Sequence, residues 1–196
     1  MWLERISGGG ADLIELQDAK DYLRILSDET GGEVEAAIST ASAFLDVDED
    51  GFGGLGFPLV AQQWAMKGAS FGAQVLRMPF ARIASVDEIR STGPDGQTGT
   101  FAPQNYQLVK RGREWRVALL SGSSWPQVAD RPDAVEVRFT AGWPDVESVP
   151  GDIIDAAKVL MAHFFHCRGA SAEDGVTDEI MRGVDRLTAR YRRFAM

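Results

Sequence analysis

The stretch from Ala134 to Gly169, AVEVRFTAGWPDVESVPGDIIDAAKVLMAHFFHCRG, constrains the fold of this chain most strongly. Val135, Val137 and Phe139 alternate with Glu136, Arg138 and Thr140, which is the period of a strand with one face buried. Gly142, Pro144, Pro150 and Gly151 end that strand, and the period then changes. Ile153, Ala156, Ala157, Leu160, Phe164 and Cys167 recur at helical spacing, while Met161, Ala162 and Phe165 widen the stripe. A helix this apolar is predicted to be central. The same stripe places Cys167 in the core, where a free thiol behaves as a small hydrophobe.

The rest of the chain divides around this unit. Residues 1 to 11, with Gly8, Gly9 and Gly10, read as a loose arm. Leu16, Ala19, Leu23 and Leu26 predict a first amphipathic helix. Thr30 and Glu33 form a T-x-x-E capping box before a second, with its stripe on Val34, Ala37, Ile38, Ala41, Phe44 and Leu45. Two short helices so joined are expected to pack as an antiparallel hairpin. Residues 59 to 141 are β-rich, with strands around Trp64, in AQVLRMP, SVDEIRSTG, NYQLVKRG and EWRVALL, and around Val137. Pro94-Asp95-Gly96 and Gly112 supply turn chemistry between them. A last helix carries Ile180, Met181, Val184, Leu187 and Tyr191 on one side and arginines on the other. The predicted architecture is α+β: a small bundle of four helices with an antiparallel sheet or barrel-like insertion between the second and third. Its parts are a helical hairpin with a Gly-rich linker (1–58), the β insertion (59–141), the central helix and a loop (142–175), and the terminal helix (176–196).

Composition bounds the function. A hydrophobic content of 44% in 196 residues is that of a globular chain with a sizeable core. No apolar run approaches the roughly 18 residues of a membrane span, and MWLERISGGG has neither a basic nor an apolar leader region, so a cytosolic protein with no membrane partner is expected. One cysteine excludes an internal disulfide and points to a reducing compartment. The net charge of -9 is unevenly spread. Thirteen acidic residues face three basic ones up to Asp50, whereas from Met181 five arginines face Asp185 alone. The acidic front cannot grip phosphates, because that grip comes from Lys and Arg releasing counterions. It is either an ordinary solvated surface or the wall of a passage to which DNA must not adhere.

Motifs for chemistry fail on inspection. DVDEDG at 46–51 opens like a calcium loop, but its twelfth position is Phe57, and Gly53, Gly54, Gly56 and Pro58 forbid the helix that should follow. His163, His166 and Cys167 converge only loosely on one helix face, and no other histidine exists. Ser121-Gly122-Ser123-Ser124 lacks the spacing of a hydrolase elbow. No phosphate-binding or dinucleotide-binding glycine pattern occurs, so no catalytic residue, cofactor or metal is assigned and the chain is not expected to be an enzyme. Trp115, Trp125 and Trp143 read as core-capping residues, with a ligand-stacking platform as the alternative.

One resemblance runs through nearly the whole chain. LQDAKDYLRI, AISTASAFLD, the strand with Gln63-Trp64, RMPFARIASVDEIRSTGPDGQ, NYQLVKRG, SSWP, VEVRFTAGWPD, VPGDIIDAAKVLMAHFF and VDRLTARYR follow one another in an order similar to that of the head-tail connector (adaptor) proteins of long-tailed double-stranded-DNA phages and phage-derived gene transfer agents. The order, more than any single piece, carries the likeness. It implies a helical bundle with a β insertion, made in the bacterial cytoplasm and assembled at the particle neck as a homo-oligomeric ring, commonly of twelve, beneath the portal. Its implied partners are the portal protein on one side, a stopper or tail-side neck protein on the other, and double-stranded DNA that passes without specific binding. Carried over by position, the terminal helix is the portal-docking element: Arg182, Arg186, Arg190, Arg192 and Arg193 pair with portal carboxylates, and Leu187, Tyr191 and Phe194 fill apolar slots. Asp46, Asp48, Glu49 and Asp50 are the clustered acids expected on the lumen. The alternative readings are another neck component, a stopper or tail-completion protein, or a ligand-binding β module.

Overall fold

The computed structural model describes residues 1–26, 30–72, 74–167 and 176–191. In chain order they form β1 (Trp2–Ser7), α1 (Leu16–Leu23), α2 (Gly31–Leu45), β2 (Gln62–Gly68), β3 (Val75–Arg77), β4 (Ile83–Thr92), β5 (Thr98–Thr100), β6 (Tyr106–Arg111), β7 (Glu114–Leu119), β8 (Val135–Ala141), α3 (Gly151–His166) and α4 (Asp178–Thr188). The fold is α+β, with four helices and two antiparallel sheets. One sheet has the order β1-β2-β8-β4-β5 and the other β3-β7-β6.

The strand-corner-helix unit is central, as its pattern dictates. Val135, Val137 and Phe139 of β8 are fully buried, and β8 lies between β2 and β4, pairing Phe139 with Trp64 on one side and Val86 on the other. Phe80 packs against both Trp64 and Phe139, with ring centroids 5.1 and 6.0 Å away. The corner after β8 requires Gly142: its φ is +104°, and a Cβ there would stand 2.5 Å from the Val60 carbonyl oxygen. Pro150 then starts α3, its carbonyl accepting from the amides of Ile153 and Ile154. Ile153, Ala156, Ala157, Leu160 and Met161 are buried against α2 and α4, so the helices and the sheet share one core.

Several expectations change. The N-terminal arm is not loose: β1 pairs antiparallel with β2 from Trp2–Lys67 onward, and Lys67 bonds Glu4 across the pair. Its period-2 pattern is hidden because Trp2 and Ile6 are exposed while Leu3 and Arg5 turn inward. The first helix stops at Leu23, where Arg24 takes a left-handed conformation (φ 58°, ψ 38°). Leu26 is consequently fully exposed and Ile25 packs on the core in its place. The second helix begins after Thr30, as predicted, but the capping box does not close, since Thr30 Oγ1 is buried without a hydrogen-bond partner. The β block is two sheets, and it includes β5, whose Thr-Gly-Thr sequence carries no apolar signal. Cys167 is exposed, because α3 ends at His166 and Cys167 is its C-cap, past the last turn in which Phe164 still packs on Phe44 of α2.

Candidate docking surfaces

α4 is built as an amphipathic docking helix would be, but its apolar side is already used. Thr177 Oγ1 caps it by accepting from the Ile180 amide, Asp178 and Glu179 complement its N-terminus, and Arg186 its C-terminus. Val184 and Thr188 are buried, and Ile180, Leu187 and Tyr191 pack on the core. Arg182, Arg186 and Arg190 recur at four-residue spacing and are exposed, forming a cationic stripe on the outer side. Arg182 Nε donates to the Asp178 carbonyl at 3.1 Å, and Arg190 Nη2 lies 3.2 Å from Asp152 Oδ2. Leu187 and Tyr191 are thus half-buried against the chain's own core, and Tyr191 also faces an open cleft. Arg192, Arg193 and Phe194 lie outside the described residues.

The clustered acids play different parts. Asp46 Oδ1 accepts from the amides of Val47 (2.9 Å) and Leu59 (3.0 Å), and Oδ2 accepts from Gln62 Nε2 at 2.7 Å. Burial pushes its carboxyl above the ordinary Asp value, and these hydrogen bonds pull the other way. Asp46 is thus a half-buried staple across the Gly-rich loop. Gly54 is held so tightly under it that an added Cβ would collide with the Leu45 and Asp46 carbonyl groups. Asp48 Oδ1 accepts from the amides of Asp50 (3.0 Å) and Phe52 (2.8 Å), which fixes a tight turn with Glu49 and Asp50 on its outside. Glu49 reaches Arg5 of β1 at 3.5 Å, and Phe52 projects from the turn with 71% of its surface exposed. Among the described residues no group of three or more His, Cys, Asp or Glu side chains converges. His163 Nδ1 and Cys167 Sγ, one turn apart, are 3.6 Å from each other.

The tryptophans separate. Trp125 stacks on Phe71 at 4.3 Å and covers Phe101, which is the core-capping role expected. Trp115 and Trp143 instead line one cleft of about 400 Å³, together with Phe57, Arg82, Lys110 and Tyr191. The Arg82 guanidinium lies 4.6 Å from the Trp143 ring and donates to the Gly142 carbonyl, while Lys110 Nζ lies 5.4 Å from the Trp115 ring. Burial lowers the pKa of Arg82. Trp115 Nε1 donates to the Ala81 carbonyl at 3.0 Å, which fixes the floor. Arg113 and Arg190 stand at the rim, so the walls are aromatic and the charges all cationic except for Asp152, which holds Arg190. Sequence reasoning missed this cleft: Arg82, Lys110 and Arg190 are remote in the chain, and only the Lys110–Trp115 hairpin carried a local basic-aromatic signal.

No protein-family model and no curated protein matches the chain. Solved structures do match it along its full length. A chain from the neck of an empty gene transfer agent particle, computed with C6 symmetry, is similar with a TM-score of 0.70 at 20% identity, covering 100% of this chain and 97% of that one. A chain from the virion of a native gene transfer agent particle gives 0.70 at 21% identity with the same coverage. A third, from the neck of a native particle computed with C12 symmetry, gives 0.65 at 20% identity, again with that coverage. These likenesses show a common fold.

Proposed function

We propose that the chain is a structural, non-catalytic connector (adaptor) subunit of the neck of a phage-like particle. It forms a ring, a dodecamer in this reading, beneath the capsid portal, joins the filled head to the tail-side neck protein, and lines the passage for double-stranded DNA. The observation that carries this reading is the end-to-end likeness to neck chains of gene transfer agent particles, which spans 100% of this chain and 97% of each of those. Charge supports it. A ring closes by repeating one heterologous contact, so each subunit needs two different faces. The acidic N-terminal front has the sign that lets DNA slide without adhering, and the Arg182, Arg186 and Arg190 stripe has the sign and exposure needed to meet portal carboxylates.

Deleting the gene in a particle-producing strain tests the reading. DNA-filled heads and separate tails are expected to accumulate, and the purified chain is expected to bind those heads and restore joined particles. Normal joining without the chain contradicts it. Binding to tails but not to heads replaces the connector by a stopper or tail-completion component.

A further inference from the structure

We infer that the contact repeated around the ring is the insertion of the acidic turn 48–52 of one subunit, with Phe52 as its anchor, into the cationic aromatic cleft of the next. The inference rests on the ring reading proposed above.

Three observations carry it. The cleft joins aromatic walls from Trp115, Trp143 and Tyr191 to cations from Arg82 and Lys110, so its complement is a segment that presents carboxylates beside an apolar or aromatic group. Its volume of about 400 Å³ falls in the range of roughly 300–1,000 Å³ typical of sites that take a compact ligand. The chain displays such a segment on its own surface. Asp48, Glu49 and Asp50 are exposed and Phe52 projects beside them, and the turn is preorganised by the two amide bonds to Asp48 and the Asp46 staple, which lowers the ordering cost of docking.

The two features are separate surfaces of one chain, and the turn comes nearest the cleft at Gly51, where an added Cβ would stand 3.1 Å from the Phe80 ring. Glu49 is held by Arg5 of β1, one edge of the five-stranded sheet, whereas Arg82 leads into β4, three strands across. At about 4.8 Å per strand this separates them by roughly 14 Å. That arrangement suits a head-to-tail contact, which joins unlike surfaces of identical chains. The sequence after Tyr191 is a weaker occupant, because Arg192 and Arg193 repeat the charge of the cleft. Docked in this way, Asp48, Glu49 and Asp50 sit at the subunit boundary and not on the wall of the lumen.

Disulfide trapping in purified particles tests the contact. In a Cys167→Ser background, Phe52→Cys and Lys110→Cys are placed on two differently tagged chains expressed together, so that any cross-link between the tags is intermolecular. The expected result is a dimer carrying both tags on oxidation, and a ladder of higher oligomers when both substitutions share one chain. Phe52→Ala, with the turn otherwise intact, is expected to lower head-tail joining roughly tenfold, as loss of an interface anchor does. Particles that contain the chain at the neck but give no cross-link overturn the contact while leaving the ring reading in place. A cross-link only within one chain overturns it in favour of closure on the subunit's own cleft. Absence of the chain from particles overturns the ring reading and this contact with it.

Discussion

Tyr191 lies edge-on to Trp143, with ring centroids 6.4 Å apart and planes at 78°, and its hydroxyl donates to Asp152 Oδ2 at 3.4 Å. One side chain therefore ties the end of α4 to the corner after β8 and to the first turn of α3. Replacing Tyr191 with Ala removes a half-buried aromatic pair and is predicted to cost about 1–2 kcal/mol, lowering the melting temperature by roughly 2–8 °C. Tyr191→Phe keeps the ring and should cost about half a kcal/mol or less. Equal effects of the two in thermal unfolding contradict the assignment of the ring as the tie.

Gly142 and Gly53 form a matched pair. Both have positive φ, but a Cβ on Gly142 meets the Val60 backbone while one on Gly53 meets nothing within 4 Å. Gly53→Ala is predicted to cost about 1 kcal/mol from backbone conformation alone. Gly142→Ala adds a collision with main chain and should cost about 3 kcal/mol or more, measured by urea unfolding. Similar values would show that the corner relaxes freely.

Asp46 gives a pH dependence of defined sign. Burial raises its folded-state pKa above 3.8, so the folded chain holds this proton more tightly than the unfolded one. The stability that Asp46 contributes is then fully present below its unfolded pKa and is lost as pH rises through its folded pKa. Asp46→Asn removes the ionisation, and Gln62 can turn its amide so that Oε1, buried and without a partner, accepts from the new Asn. The stability of the wild type minus that of the variant is predicted to fall as pH rises from about 4. A difference that grows with pH contradicts the burial assignment.

Arg182 and Arg186 separate docking from folding. Both are exposed, so Arg182→Glu with Arg186→Glu is expected to cost about 1 kcal/mol of stability, chiefly from the reversed charge at the C-terminus of α4, and to leave the chain folded. The same pair should abolish binding to portal-bearing heads, and binding by the wild type should weaken as salt is raised. Unchanged binding removes the stripe from the docking surface. Deleting α4 is a poorer probe, because Val184 and Thr188 are buried and their loss opens the core.

Legibility followed periodicity. The β8–α3 unit, both N-terminal helices and five further strands could be read because Val137, Leu160 and Ile38 sit in repeats that only one secondary structure satisfies. β1 could not, since its exposed Trp2 and Ile6 invert the usual pattern at a sheet edge. Leu26 misled because the left-handed turn at Arg24, a residue with no special preference for it, leaves no mark in the sequence. Cys167 misled because a stripe says which side of a helix is apolar but not where its cover ends. The arginine stripe was legible as charge. The division of labour within Asp46–Asp50 was not, because only the chain reversal that brings Leu59 and Gln62 back to Asp46 separates a staple from exposed acids.

The most direct measurement is the position of the chain on particles. An antibody raised against it, applied to purified phage-like particles and visualised by immunogold electron microscopy, is predicted to label the neck between head and tail. Label elsewhere on the particle, or none while the protein remains free in the cytosol, contradicts a connector.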